Sequence, residues 1–77
     1  MNLSEHARSR LKQRGISRIH VRRCLVDGTL VRIDSNGRNT RRLKAGNRFL
    51  EVAYLPIMGG YLIITAYWRE SDEGKHR

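Results

Sequence analysis

Cysteine is almost missing from these 77 residues: Cys24 stands alone, so no internal disulfide can staple the chain. Long apolar runs are missing too. The longest, around Tyr61 to Ala66, falls far short of the roughly 20 apolar residues that cross a bilayer. No apolar run of secretory length opens the chain. The expectation is a protein of the reducing cytoplasm with no membrane association. Acidic residues are scarce as well, 7 against 16 Lys and Arg, which leaves a formal net charge of +9. A surface meant only for solubility would mix its signs. Length sets a further limit, because a domain this small buries only about 60% of the surface its unfolded chain exposes. Its core must be thin, and any site should be an open groove rather than a buried chamber. Internal repeats and a second domain are absent, so residues 1–69 read as one domain and residues 70–77 as a disordered polar tail.

The charge that is present is unevenly placed. Residues 1–48 hold 13 Lys or Arg against Glu5, Asp27 and Asp34, a net of +10, whereas residues 49–77 hold 3 against 4, a net of −1. Such a concentration attracts polyanions and speeds their arrival. Of the 16 basic residues 13 are Arg, whose planar, bidentate head suits phosphate better than the ammonium of Lys. Nucleic acid is therefore the main partner expected, ahead of a membrane surface or an acidic protein.

Ser4 to Val26 is the organising stretch. On a helix Leu3, Ala7 and Leu11 stack into an apolar row, and His6, Arg10 and Arg14 into a second row beside it. Gly15 can end that helix in a left-handed conformation, and Ser17 can cap the next one. Ile16 and Val21, on either side of that cap, have the spacing of a hydrophobic staple. The spacing thus predicts a first helix over Asn2 to Arg14 and a second over Ser17 to Val26, whose stripe is Val21, Cys24 and Leu25. Asp27-Gly28 stops it.

Beyond Gly28 the period changes from three-and-four to two. Thr29 to Asp34 reads as a half-buried strand with Val31 and Ile33 on one side, Leu30 and Arg32 on the other. Asp34-Ser35-Asn36-Gly37 is a turn by composition. Arg38 to Lys44, polar and basic, is expected to be an edge strand or a mobile loop. Arg48 to Leu55 alternates Leu50, Val52 and Tyr54 against Phe49, Glu51, Ala53 and Leu55. After a turn at Pro56 to Gly60 comes the strongest strand, Tyr61 to Trp68, with Leu62, Ile64, Ala66 and Trp68 on one face and Tyr61, Ile63, Thr65 and Tyr67 on the other. Two helices followed by a three- to four-stranded antiparallel sheet give the α+β class.

His6-Ala7-x-x-Arg10-x-x-x-Arg14-Gly15-Ile16-Ser17, a strand after a glycine, and the closing Ile64-Thr65-Ala66-Tyr67 resemble a small uncharacterised bacterial domain family. That family is commonly grouped with RelE-like and BrnT-like toxins, within the barnase-, EndoU-, colicin- and RelE-like ribonuclease folds. The resemblance spans roughly residues 4 to 68. It implies a RelE-like, metal-independent ribonuclease fold, with His6, Arg10 and Arg14 as the family's His and Arg and Thr65 and Tyr67 as its closing polar pair. The chain shows no match to the basic and aromatic cluster of ribosome-dependent members.

Metal-free RNA cleavage needs a base for the 2′-hydroxyl proton, an acid for the leaving oxygen, and cations for the charged phosphorane. Histidine, with an ordinary pKa of about 6.5, suits either proton role. The expected catalytic set is His6, with Arg10 one turn away on phosphate, supported by Thr65 and Tyr67, which lie two apart on a strand and point the same way. Arg14, Arg38, Arg41, Arg42, Lys44 and Arg48 form the expected RNA-binding set. His20 and Cys24 are four apart on a helix, but two ligands do not make a metal site, and no metal or other cofactor is expected. Set beside this toxin-like endoribonuclease are a nucleic-acid-binding module without catalysis and an interaction domain that docks an acidic partner such as an antitoxin.

Overall fold

The computed structural model describes residues 1–70. Glu70, expected in the tail, is the last residue of a strand, and the rest of that expected tail, residues 71–77, lies outside the described residues. The elements run β1 (Asn2–Leu3), α1 (Glu5–Arg14), α2 (Arg18–Asp27), β2 (Thr29–Ile33), β3 (Asn39–Ala45), β4 (Arg48–Ile57) and β5 (Gly60–Glu70). They build an α+β domain with one five-stranded sheet in the order β1-β5-β4-β3-β2. All neighbours are antiparallel except β1, which lies parallel to β5 through Asn2↔Leu62 and Leu3↔Ile63. The sheet is thus larger than the expected three or four strands, and mixed.

Local chemistry sets the helices. The Ser4 side chain accepts from the Ala7 N–H at 3.0 Å, so α1 starts at Glu5, and the residues before the cap are free to pair with β5 instead of extending the helix to Asn2. At the other end Gly15 turns left-handed (φ 66°), and the Ile16 N–H reaches back to the Leu11 carbonyl at 2.9 Å. Ser17 caps α2 through the His20 N–H at 3.2 Å, with Ile16 and Val21 both buried as a staple. Ala7 and Leu11 from α1, and Val21, Cys24 and Leu25 from α2, pack on Leu50, Val52, Tyr54, Ile63 and Ala66. Both helices therefore cover the same face of the sheet, and among the described residues the opposite face is uncovered.

Gly28 joins α2 to β2 with an ordinary φ of −75°, so conformational freedom is not its role. A methyl group there would stand 2.4 Å from the Cys24 carbonyl oxygen and 2.9 Å from that of Arg42. Backbone atoms cannot swing aside. Gly28→Ala is expected to cost about 1–3 kcal/mol or more by overpacking, read in a denaturant melt beside Gly37→Ala, where φ of 83° imposes strain but the space is open.

The strands depart from the expected faces in two places. β2 is not half-buried: all five residues are exposed, and it, not the basic segment, forms the sheet's edge. β3 instead pairs on both sides, because two of its arginines find partners: Arg41 donates to the Tyr54 hydroxyl and the Gly28 carbonyl, and Arg42 to Glu51. In β5 the register slips between Ala53↔Thr65 and Tyr54↔Ile63, which leaves Ile64 as a bulge. Alternation is reversed across it. Ile63 and Ala66, expected on opposite faces, are both fully buried in the core, while Thr65 and Tyr67 share the uncovered face.

Candidate nucleic-acid interface

Residues paired directly across antiparallel strands point to the same face, so the register builds the uncovered face in rows. Lys44, Phe49 and Arg69 form one row, Arg42, Glu51 and Tyr67 the next, and Arg32, Thr40, Ala53 and Thr65 the third. The centre is Glu51, whose side chain is 0% exposed although no helix covers it. A buried carboxylate survives only when its oxygens are matched. Oε2 accepts from Arg42 Nε at 2.7 Å, lies 2.6 Å from Arg42 Nη2, and has Arg69 at 3.6 Å; Oε1 accepts from the Tyr67 hydroxyl at 2.9 Å. No buried side-chain polar atom among the described residues lacks a partner.

The partners of Glu51 reach outward from it. Arg42 and Arg69 keep 34% and 48% of their side chains exposed, and Arg42 also lies over the Phe49 ring at 5.4 Å. Burial, and then the hydrogen bond to Glu51, push the Tyr67 hydroxyl above the ordinary phenol range, so it donates at neutral pH. The Arg32 and Arg69 charges act in the opposite direction on it, which puts Arg32 in the same field. Counting Arg32, Arg42, Lys44 and Arg69 against Glu51, the face holds a surplus of positive charge, and Glu51 holds two of these cations, Arg42 and Arg69, from beneath.

The residues expected at the site divide into separate groups. His6 and Arg10 meet on the outer flank of α1, where Arg10 Nε donates to His6 Nε2 at 3.3 Å. Arg14, at the end of the same ridge, is bound to the exposed edge of β5: its Nη1 donates to the Ala66 carbonyl at 2.7 Å and to Thr65 Oγ1 at 3.4 Å, while its own carbonyl accepts from Trp68. Thr65 is thus tied to Arg14 and Tyr67 to Glu51. No hydrogen bond among the described residues links His6 or Arg10 to either.

The basic stretch is also divided. Arg42 and Lys44 lie on the uncovered face. Arg41 turns to the helix side and holds Tyr54 at 2.8 Å and Gly28 at 3.1 Å. Arg48 is on that side too, 4.2 Å over the Trp68 ring, and Arg38 is exposed beside the β2–β3 turn, its N–H donating to Asp34 Oδ1. Cys24 sits in the core, its thiol donating to the Arg41 carbonyl at 3.4 Å, and desolvation pushes its pKa up to about 11; His20 is exposed against the Trp68 edge.

Glu51, Arg69 and Arg32 were not singled out from the sequence. The available signal was Glu51 itself, the one acid among Phe49, Ala53 and Leu55 on an alternating strand. Its partners come from β3 and β5, and only the register reveals them.

Fold and site together define a small α+β domain that presents an arginine-rich sheet face. Residues 3–68 match a family described as Domain of unknown function (DUF4258), and the chain belongs to that family. This agrees with the resemblance read from the sequence as far as a small uncharacterised domain family. No curated protein and no solved structure matches the chain. No helix among the described residues is long and apolar enough to cross a membrane.

Proposed function

We propose that this domain binds RNA on the uncovered face of its sheet, in the cytoplasm, as a RelE-like fold of the toxin type. The observation that carries this reading is Glu51: a fully buried carboxylate beneath an open face, matched by Arg42, Arg69 and Tyr67. A merely solubilising surface has no use for such an arrangement. A phosphate-binding face does, because guanidiniums fixed in advance lose little freedom when they take a phosphate. Phe49 and Tyr67 add aromatic surface for bases. An acidic protein such as an antitoxin would meet the same positive face and compete with RNA.

Metal-independent cleavage is a second step on the same strand, favoured by the His6–Arg10 pair. An imidazole can take a 2′-hydroxyl proton once Arg10 turns from His6 Nε2 to a phosphate, and the ridge ends in Arg14 at Thr65. End-labelled RNA incubated in chelator with the wild type, His6→Ala and Arg69→Ala tests both steps. Expected are a gel shift that Arg69→Ala weakens, and cyclic-phosphate ends that disappear with His6→Ala. RNA shifted yet intact would leave a binding module without catalysis; RNA neither shifted nor cut at low salt would defeat the proposal.

A further inference from the structure

The outer edge of β2 is the least protected part of the fold. Every residue of Thr29–Ile33 is exposed, with Leu30 at 41%, Val31 at 37% and Ile33 at 59%. Among the described residues no strand pairs with that edge. Natural sheets blunt such edges with several charges, prolines or a cover, since unpaired N–H and C=O groups invite a further strand. Among the described residues the protections here are Arg32 and the irregular pairing at Val31.

We propose that β2 is the docking edge for an extended segment of a protein partner in which apolar and acidic residues alternate. The register sets that chemistry. Leu30 pairs with Arg41 and Ile33 with Asn39, which puts both on the helix-covered side, whereas Arg32 pairs with Thr40 on the uncovered side. An added strand would lay its own side chains beside Leu30 and Ile33 on one face and beside Arg32 on the other. Apolar residues match the first pair. On the other face an acid gains from Arg32, and from the field of Arg42, Lys44 and Arg69 behind it, while a base is repelled.

A second copy of this chain fits the edge poorly. Two β2 strands pairing antiparallel about a two-fold axis at Arg32 would set Arg32 against Arg32, and in every register each copy brings a net charge of +9. Arg32 together with the net charge thus disfavours self-association, and the same charges admit an acidic strand. This inference stands independently of RNA binding.

The test uses the full chain with a soluble peptide of about eight residues alternating Val and Glu, its Val/Lys counterpart, and hydrogen exchange of the β2 amides. The Val/Glu peptide is expected to slow exchange in residues 29–33 by about tenfold or more, the Val/Lys peptide to leave it unchanged, and Arg32→Glu to exchange the two preferences. Protection by both peptides alike, protection confined to other strands, or protection that grows with protein concentration and no peptide would overturn the proposal. So would no protection at all in a folded wild type.

Discussion

Arg42→Ala is expected to cost about 3–5 kcal/mol of folding stability, far beyond the loss of an ordinary surface arginine. The reason is what it leaves behind. Glu51 is fully buried, and Arg42 supplies its two closest contacts, at 2.6 and 2.7 Å, while Arg69 stands off at 3.6 Å. Without Arg42 the carboxylate stays buried with only the Tyr67 hydroxyl close to it. In a domain of this size each kcal/mol moves Tm by about 4–8 °C, so a thermal melt reads the effect easily. The double variant Arg42→Ala/Glu51→Leu should recover most of the loss, because apolar replacement of a buried ion pair is often neutral or stabilising. RNA binding should stay weak in that double variant. Stability restored without binding is the signature of an ion pair retained for its outward-facing arginines. A cost for Arg42→Ala below about 1 kcal/mol would mean that Glu51 does not depend on it.

Tyr54→Ala is the second large effect, about 3–5 kcal/mol. The ring is 2% exposed, belongs to the core beneath the helices, and meets the Tyr61 ring edge-on at 5.2 Å. Its hydroxyl also accepts from Arg41 Nε at 2.8 Å, and Arg41 in turn holds the Gly28 carbonyl at the α2–β2 corner. Truncation therefore opens a cavity and releases an arginine that ties two elements together. Tyr54→Phe keeps the ring and should cost about 1–2 kcal/mol, the share of the hydroxyl. Equal costs for the two variants, from chemical denaturation, would put the role of Tyr54 in its hydroxyl rather than its ring.

The helices were readable from the sequence because their causes are local. Ser4, Gly15, Ser17 and the Ile16–Val21 staple act within a few residues, and the His6–Arg10 contact follows from helical spacing alone. What the sequence concealed depends on residues far apart in the chain. Asn2 and Leu3 become a strand only because β5 offers them an edge, and the Ile64 bulge exists only against β4. The basic β3 looked like an edge because the partners of Arg41 and Arg42 lie on β4 and at Gly28. For the same reason its arginines read as one RNA-binding set, when the pleat sends Arg41 to one face and Arg42 to the other. Glu51 was visible as an acid among apolar neighbours, but its meaning required Arg42 and Tyr67 on either side of it.

Removing equal charge from two places shows whether RNA meets the uncovered sheet face. One variant carries Arg32→Ala, Lys44→Ala and Arg69→Ala on the sheet; the other carries Arg18→Ala, Arg22→Ala and Arg23→Ala on α2, where all three are exposed. Binding to single-stranded RNA is then measured across a salt series. The sheet variant is expected to lose about a hundredfold in affinity at low salt and about 2 in the slope of log K against log salt, at roughly 0.7 per phosphate contact, and the α2 variant far less. Equal losses from the two variants, or a larger loss from α2, would contradict RNA binding on the sheet face.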